Sequence, residues 1–156
     1  MGDDCKNRND GVFTYNSGSI IGALVELAAA TGDEAYLDRA YDVANASIAP
    51  GSPFLNDQGI LADGCDKDTS CTGGDGSAFK GVLIRNLCKL NNARQSDDLK
   101  AFFEKNAQSI WNNDLQIIDG GCRNGLFWSG PFTDVDEPVA QAVALDGLTA
   151  ALAATL

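Results

Sequence analysis

Apolar side chains recur every three or four residues in five segments of this chain, which is the spacing of one face of an α-helix. We therefore predict five helices, at about residues 16–30, 34–49, 77–91, 96–112 and 137–154. Gly32 suits the end of the first helix because glycine readily adopts the left-handed backbone conformation found there. Asp33 and Ser96 suit the starts of the second and fourth helices because their side-chain oxygens accept free backbone N–H groups. The pattern predicts an all-α fold.

The links between these helices alternate in length. Within two hairpins, at about 13–50 and 77–113, the link is short, as expected for antiparallel neighbours. The segments between hairpins are long and rich in Gly and Asp, and the fifth helix opens a third hairpin without completing it. Repeated hairpins bury their apolar faces against one another, so two and a half of them indicate part of a larger array. The long links and the starts of the first, third and fifth helices share one end of the array, where we expect a binding site.

The length and the charge of the chain exclude several kinds of function. The chain has 156 residues, of which 44% are hydrophobic and 21% charged, and this predicts a single domain over residues 1–156. Its formal net charge of -11 disfavours nucleic acids and anionic membrane surfaces as partners. It contains no histidine, which excludes imidazole-dependent triads and the commonest zinc ligand. Any hydrolysis would therefore depend on carboxylates.

The five cysteines favour disulfides over a metal site. Cys65 and Cys71 are six residues apart in a loop rich in Gly and Asp, where a local disulfide would restrain the chain, and Cys5 with Cys122 would form a second pair. Cys88 lies on the apolar face of a predicted helix and suits the core. The spacing does not match zinc sites of the CxxC type.

Several short blocks of residues follow one another along the chain, at 13–18, 21–24, 30–33, 59–61, 79–81, 85–87, 111–113, 128–131 and 141–146. In this order they resemble glycoside hydrolase family 76, the endo-α-1,6-mannanases and their fungal cell-wall relatives. The resemblance covers nearly all of the chain. It implies a partial (α/α)6 toroid of about two and a half helical hairpins, in which inner and outer helices alternate and a groove opens where the inner helices start.

The resemblance also implies where the catalytic chemistry lies. The family cleaves mannosidic bonds with retention, using an adjacent aspartate pair beside a tryptophan-rich stretch in its earlier half, and that stretch has no counterpart here. Two adjacent aspartate pairs exist. Asp97 and Asp98 follow Ser96 at a helix start, where acidic side chains are favourable, and Asp3 and Asp4 lie near the terminus in a position unlike the family's catalytic motif. We therefore expect no catalytic residue in this chain and no activity from the chain alone. The alternative is a non-catalytic module that binds mannan or associates with itself.

If the groove end faces sugar, three residues are candidates for direct contact. Tyr15 and Asn16, at the start of the first inner helix, are expected to contact hydroxyl groups, and Trp128 to stack on a pyranose ring. The alternatives are that Asn16 caps its helix and that Trp128 packs beneath its own loop.

Charged residues supply further candidates. Lys80 and Arg85 are expected to hold groove carboxylates in place, or else to form salt bridges between neighbouring helices. Asp136 is a candidate groove acid, although its place before the fifth helix is also favourable for helix electrostatics.

Several aspartates crowd the loop around the paired cysteines, and oxygen-rich loops can bind calcium. These residues are Asp57, Asp63, Asp66, Asp68 and Asp75. Their spacing does not follow the EF-hand pattern, so a solvated acidic loop is the default interpretation, and we expect no metal or cofactor.

The expected partner is an α-mannan or a manno-oligosaccharide, and a second copy of the chain could cover exposed faces of the inner helices. Asn45, Ala46 and Ser47 form an acceptor sequence for N-glycosylation, which agrees with a secreted origin. The first residues lack the basic and apolar regions of a signal peptide, so we expect an internal segment with an initiator methionine. We predict a secreted or cell-wall-associated protein whose signal peptide is not in this chain.

Overall fold

The structure is a computed structural model that describes residues 11–66, 70–135 and 138–156. In these ranges lie the helices α1 (Thr14–Thr31), α2 (Ala35–Ile48), α3 (Phe79–Ala93), α4 (Asp97–Ser109) and α5 (Pro138–Ala153). A 3-10 turn, Asp75–Ala78, leads into α3, and a π-helical turn, Ile110–Asp114, extends α4. The five predicted helices are confirmed, with ends that differ by a few residues.

The helices form two layers. The inner layer holds α1, α3 and α5 side by side with α3 in the middle, while α2 packs against α1 and α4 packs against α5 from outside. Successive contacts show that the inner helices are parallel. Gly22 and then Glu26 of α1 meet Asn86 and then Lys89 of α3. Val143 and then Asp146 of α5 meet Gly81 and then Arg85 of α3. All three therefore begin at one end of the layer, which we call the groove end.

Glycines allow the inner helices to approach closely. A Cβ atom on Gly18 of α1 would lie 2.7 Å from the Cα of Leu83 in α3, and Gly22 faces Asn86 in the same way. Between the layers, apolar side chains such as Ile21, Leu83 and Ile84 are fully buried. The apolar stripes of the sequence thus meet in one continuous core.

The helix-end signals act largely as predicted. Gly32 adopts a φ of 73° and its N–H bonds to the carbonyl of Ala28. The carboxylate of Asp33 accepts the N–H of Ala35 at 3.0 Å, and Ser96 accepts the N–H of Leu99 at 3.5 Å.

The start of α1 differs from the prediction. The helix begins at Thr14 after Phe13, so Asn16 lies within the first turn and is not its cap. The capping oxygen comes from a distant loop, because Asp63 accepts the N–H of Thr14 at 2.8 Å. A cap supplied by another segment leaves no local pattern in the sequence, which explains the error.

A small β-hairpin occupies part of the segment that we predicted as a loop. Its strands β1 (Leu115–Ile118) and β2 (Gly121–Asn124) pair antiparallel. Asp119 and Gly120 between them have φ angles of 50° and 77°. Two left-handed residues match the twist of a two-residue hairpin, and the Asp-Gly sequence is a strong signal for that turn.

The cysteines follow the predictions in part. Cys65 and Cys71 form a disulfide with their Cα atoms 5.0 Å apart, and Cys88 is half-buried against the core. Cys122 is exposed and bonds to no described cysteine, and its expected partner Cys5 lies outside the described residues, so that pairing stays a prediction. Among the described helices, none combines the length and the apolar character needed to cross a membrane.

Candidate groove site

Three aromatic rings lie together at the groove end. The ring centroids of Phe13 and Phe79 are 5.3 Å apart, and those of Tyr15 and Phe79 are 4.5 Å apart. Phe13 precedes α1 and Phe79 begins α3, so the close parallel packing of these two helices brings the rings together. All three side chains are partly exposed. Rings of this kind offer apolar faces on which a pyranose can stack, and the Tyr15 hydroxyl can form hydrogen bonds. We call this set of three residues the aromatic cluster.

A network of buried charges joins the loop 61–66 to the starts of two inner helices. Asp63 accepts both the N–H of Thr14 at 2.8 Å and its hydroxyl at 2.6 Å. The backbone N–H of Asp63 bonds to Asp66, whose carboxylate receives the ammonium of Lys80 at 2.5 Å. Burial raises the pKa of the Asp63 carboxyl above its usual range, although the hydrogen bonds from Thr14 oppose the shift.

Lys80 also reaches the second long loop. Its ammonium donates to the carbonyl of Leu126 at 2.6 Å and lies 5.5 Å from the centre of the Trp128 ring. The carbonyl of Trp128 in turn accepts the hydroxyl of Ser109 at 2.7 Å. One lysine therefore connects both long loops to the start of α3 at the groove end.

Asp114 ends the π-helical turn after α4 and is fully buried. Its Oδ1 atom accepts the N–H of Gly125 at 3.1 Å, while its Oδ2 atom has no hydrogen-bond partner. Burial raises the pKa of this carboxyl to about 7 because the charged form is poorly solvated there. Asp114 therefore fixes the end of the β-hairpin and does not reach a ligand.

A cleft of about 280 Å³ lies between the β-hairpin and the start of α5. Its walls carry an ion pair between Arg123 and Asp134 at 3.3 Å. Gln141 bonds to the backbone and to the side chain of Asn124, at 2.8 and 3.3 Å. Amide and charged groups of this kind can hydrogen-bond to sugar hydroxyls. The cleft adds a second candidate region at the start of the third inner helix.

The structure places the predicted contact residues at different depths. Tyr15 belongs to the aromatic cluster and Asn16 beside it is exposed, so both can meet a ligand. Trp128 is only 1% exposed, and the stacking interpretation does not fit this position. Its ring belongs to the core and lies against Gly147 of α5 and near the Lys80 ammonium, so it is buried, as the alternative had it, but against helices.

The charged candidates also need correction. Lys80 is 1% exposed, so it holds the buried Asp66 beneath the groove and is not available to a ligand. Arg85 pairs with Asp146 of α5, which matches the alternative of a salt bridge between neighbouring helices. Asp136 lies outside the described residues, and its role stays a prediction.

The acidic loop is not the solvated segment that we expected. Asp63 and Asp66 are 1% and 4% exposed and are engaged by Thr14 and Lys80. Asp57 and Asp75 are exposed, and Asp68 lies outside the described residues. Cys65, Asp66 and Cys71 lie close enough to share a metal ion, but the two sulfurs are joined and Asp66 already binds Lys80. These groups do not form a set of free ligands.

Sequence reasoning missed Phe13 and Phe79 as site residues. Each stands at the start of an inner helix, which is a shared position that could have identified them. Asp63 and Asp114 gave no such signal, because their contacts join segments that are distant in the chain.

Comparison with known proteins identifies the family and the fold of this chain. The model of glycosyl hydrolase family 76 matches residues 1–155. An alpha-1,6-mannanase, GH76A from Salegentibacter sp. HEL1_6, shares 28% identity and superposes with a TM-score of 0.76 over 92% of this chain and 40% of its own. The Lin0763 protein from Listeria innocua shares 26% identity with a TM-score of 0.78, over 96% of this chain and 40% of its own. Among curated proteins, no significant match was found.

A further structure shows the same mannanase as an inactive variant with two aspartates replaced by alanine, in complex with alpha-1,6-mannotetrose. It shares 32% identity, with a TM-score of 0.68 over 92% of this chain and 40% of its own. The present chain thus spans about two fifths of the length of these solved neighbours. The fold is all-α and matches part of their toroid, as the resemblance implied. The chain belongs to glycosyl hydrolase family 76.

Proposed function

We propose that this chain forms part of the substrate groove of an α-1,6-mannan glycoside hydrolase and binds α-1,6-manno-oligosaccharides at the groove end. The observation that carries the proposal is the partly exposed aromatic cluster of Phe13, Tyr15 and Phe79. The solved mannanase variants that hold mannotetrose and mannotriose support this choice of ligand.

We further propose that the chain alone does not cleave mannan. The chain has two adjacent aspartate pairs: Asp3 with Asp4 lies outside the described residues, and Asp97 with Asp98 lies in the first turn of α4. Because α4 follows α3 through a short link, this turn is at the end of the layer opposite the groove end. The buried carboxylates of Asp63, Asp66 and Asp114 are engaged inside the protein. A retaining mechanism needs two carboxyl groups about 5 Å apart on either side of one glycosidic bond, and neither set offers this.

Calorimetric titration with α-1,6-mannotetraose tests the binding. We expect measurable heat with the unchanged chain and an affinity roughly tenfold lower for Tyr15→Ala, since that variant loses a stacking face and a hydroxyl. Tyr36→Ala is the matched control, because Tyr36 is equally half-buried but lies at the opposite end, in α2. Absence of heat, or equal losses in both variants, would contradict the groove assignment.

Reducing-end release from α-1,6-mannan tests the proposed lack of turnover. We expect no release above a buffer control at any pH. Steady release would show that the chain contains its own catalytic pair. A non-catalytic mannan-binding module is the alternative function, and it predicts the same result for this chain.

We also propose a secreted or cell-wall-associated location. The disulfide between Cys65 and Cys71 supports it, because such bonds persist in oxidising compartments. Thiol alkylation of protein from culture supernatant and from cell lysate would test it. We expect the oxidised pair in the supernatant, and a protein found only inside cells with both thiols reduced would contradict the proposal.

A further inference from the structure

Asn45 presents a free side-chain amide on α2, which lies in the outer layer. Asn45, Ala46 and Ser47 form the only Asn-x-Ser/Thr triplet of the chain. Asn45 lies about one turn before the end of α2 and is exposed, and among the described residues no hydrogen bond engages its amide. A triplet of this kind accepts N-linked glycans in proteins that pass through a secretory compartment. The amide can therefore carry a substituent without the loss of a contact.

A cleft between α2 and α4 opens directly beside this amide. Its volume is about 390 Å³, within the range of about 300–1,000 Å³ that is usual for small-ligand sites. Asn45 and Ile48, one turn apart on α2, form one wall, and Pro50 continues it. Asp98 and Phe102, one turn apart on α4, form the other. The cleft is thus within reach of a sugar that is bonded to Asn45.

The walls of this cleft match the first sugar of an N-linked glycan. N-acetylglucosamine has apolar C–H faces and an acetyl methyl group, which can pack on Ile48, Pro50 and the ring of Phe102. Its N–H and hydroxyl groups can donate to the exposed carboxylate of Asp98. Because the sugar would be tethered at the rim, its effective concentration in the cleft is high. Weak contacts are then sufficient to hold it there.

We propose that Asn45 carries an N-linked glycan whose first N-acetylglucosamine fills the cleft between α2 and α4. In the transfer, a bond forms between the Nδ2 atom of Asn45 and the C1 atom of that sugar. The bond between C1 and the diphosphate of a lipid-linked oligosaccharide donor breaks, and the amide nitrogen loses one proton. The proposal rests on the secreted location proposed above, because this transfer takes place in a secretory compartment.

The burial of Ser47 determines when the transfer occurs. Ser47 is 2% exposed, and its hydroxyl donates to the carbonyl of Val43 at 2.8 Å. The hydroxyl at the third position defines the triplet, so an enzyme that selects the triplet must reach this group. In the folded chain it is inaccessible. The glycan is therefore added before α2 packs, and the packing of α2 then brings the first sugar to the cleft.

Peptide mass mapping of the protein from culture supernatant tests the modification. We expect the peptide that contains Asn45 to carry a glycan, and peptide N-glycosidase to leave aspartate at position 45. Asn45→Gln should abolish the glycan. Asn92→Gln is the matched control and should leave it in place, since Asn92 is exposed on α3 but belongs to no such triplet.

The state of the disulfide distinguishes failure of this proposal from failure of the proposed location. Secreted protein with the bond between Cys65 and Cys71 intact and an unmodified Asn45 would overturn the glycan and leave the location standing. Protein found only inside cells, with both thiols reduced, would overturn the location and the glycan with it.

Urea denaturation tests whether the first sugar fills the cleft. Three forms are compared: the full glycan, a form trimmed by an endoglycosidase to one N-acetylglucosamine, and Asn45→Gln without sugar. The first two should share one urea midpoint, and the third should unfold at a midpoint lower by roughly 0.5 M, because only the first sugar covers the apolar walls. Glycosylated Asn92→Gln should keep the wild-type midpoint. A trimmed form as unstable as Asn45→Gln, or three equal midpoints, would overturn the cleft assignment.

Transfer in vitro tests the order of events. The folded wild-type chain, made without a glycan, is incubated with the transferase and a lipid-linked donor. We expect it to accept no glycan, whereas a synthetic peptide of residues 41–51 should accept one at Asn45. Transfer to the folded chain at the rate of the peptide would show that Ser47 is accessible and would overturn the proposed order.

Discussion

At the scale of single residues, the groove end depends on a lysine that no solvent reaches. The side chains of Lys80 and Asp66 are 2% and 6% exposed, and the ammonium also donates to the Leu126 carbonyl. The Oδ1 atom of Asp66 has no hydrogen-bond partner. A buried pair of this kind contributes little net stability compared with apolar residues, but the loss of one partner leaves an uncompensated charge.

We therefore expect Lys80→Met to lower the free energy of unfolding by about 3–5 kcal/mol, measured by urea denaturation. Arg39→Met is the control, because Arg39 and Asp42 form a pair whose side chains are 77% and 69% exposed. Breaking that pair should cost less than about 1 kcal/mol. The double variant Lys80→Met with Asp66→Leu should recover part of the loss. Equal effects of the two single variants would show that the buried pair has no special role.

Asp114 should make stability depend on pH. Burial raises its pKa from the usual 3.8 to about 7 on folding, so between these values the folded state binds more protons than the unfolded state. The free energy of unfolding should therefore fall as pH rises from about 4 to about 7 and then level off. Asp63, whose pKa burial also raises, contributes with the same sign.

Asp114→Asn isolates this contribution, because the amide oxygen can still accept the Gly125 N–H but the side chain does not titrate. Urea denaturation from pH 4.5 to 8 should show wild type losing stability relative to this variant as pH rises. Asp57→Asn removes a carboxyl from an exposed loop and is the matched control for the change of charge. A constant difference between wild type and Asp114→Asn across this range would refute a raised pKa.

Residue roles were the part of the site that sequence predicted least well. The sequence drew attention to Tyr15 because of its place at a helix start, and Tyr15 does lie in the aromatic cluster, while its contact with sugar stays a prediction. Lys80 was expected to hold groove carboxylates or to form a salt bridge, and Trp128 to stack on sugar or to pack beneath its own loop; both side chains are buried. Whether a residue near a groove lies in its wall or beneath it depends on the path of loops that carry no periodic pattern. The local sequence therefore does not determine whether such a residue is exposed or buried.

At the scale of elements, the inner layer relies on small residues where helices touch. Gly18 has no room for a side chain, since its Cβ would lie 2.7 Å from backbone atoms of α3. An alanine usually stabilises a helix relative to glycine by about 1 kcal/mol. Here the steric clash should make alanine at position 18 destabilising instead, because backbone atoms cannot move aside as side chains can.

We expect Gly18→Ala to lower the free energy of unfolding by about 1–3 kcal/mol in urea denaturation. Ser19→Ala, at an exposed position on the same helix, should be neutral or slightly stabilising. A gain in stability from Gly18→Ala would show that α1 and α3 are farther apart than the structure describes.

Elements were predicted better than residues, for a physical reason. Helix periodicity and local caps such as Gly32, Asp33 and Ser96 are encoded within a few residues, and the five helices follow from them. The β-hairpin was missed because a four-residue strand is too short for a clear alternation, although Asp119 and Gly120 gave a turn signal. The start of α1 was misplaced because its capping group, Asp63, is 49 residues away in the sequence.

At the scale of the whole molecule, net charge and the apolar core act in opposite directions. The chain carries a net charge of -11, so repulsion among its acidic groups opposes the compact fold, whereas the core residues gain from being buried together. Added salt screens the repulsion, since the Debye length falls from about 30 Å at 0.01 M to about 3 Å at 1 M. It leaves apolar contacts largely unweakened.

The chain should therefore become more stable as salt increases. Urea denaturation in about 0.02, 0.15 and 1 M NaCl should give a free energy of unfolding that rises at each step. Salt also screens exposed ion pairs such as Arg39 with Asp42, but each of these contributes less than about 1 kcal/mol. A free energy of unfolding that fell as salt increased would show that ion pairs, and not repulsion among acidic groups, dominate the electrostatics of the fold.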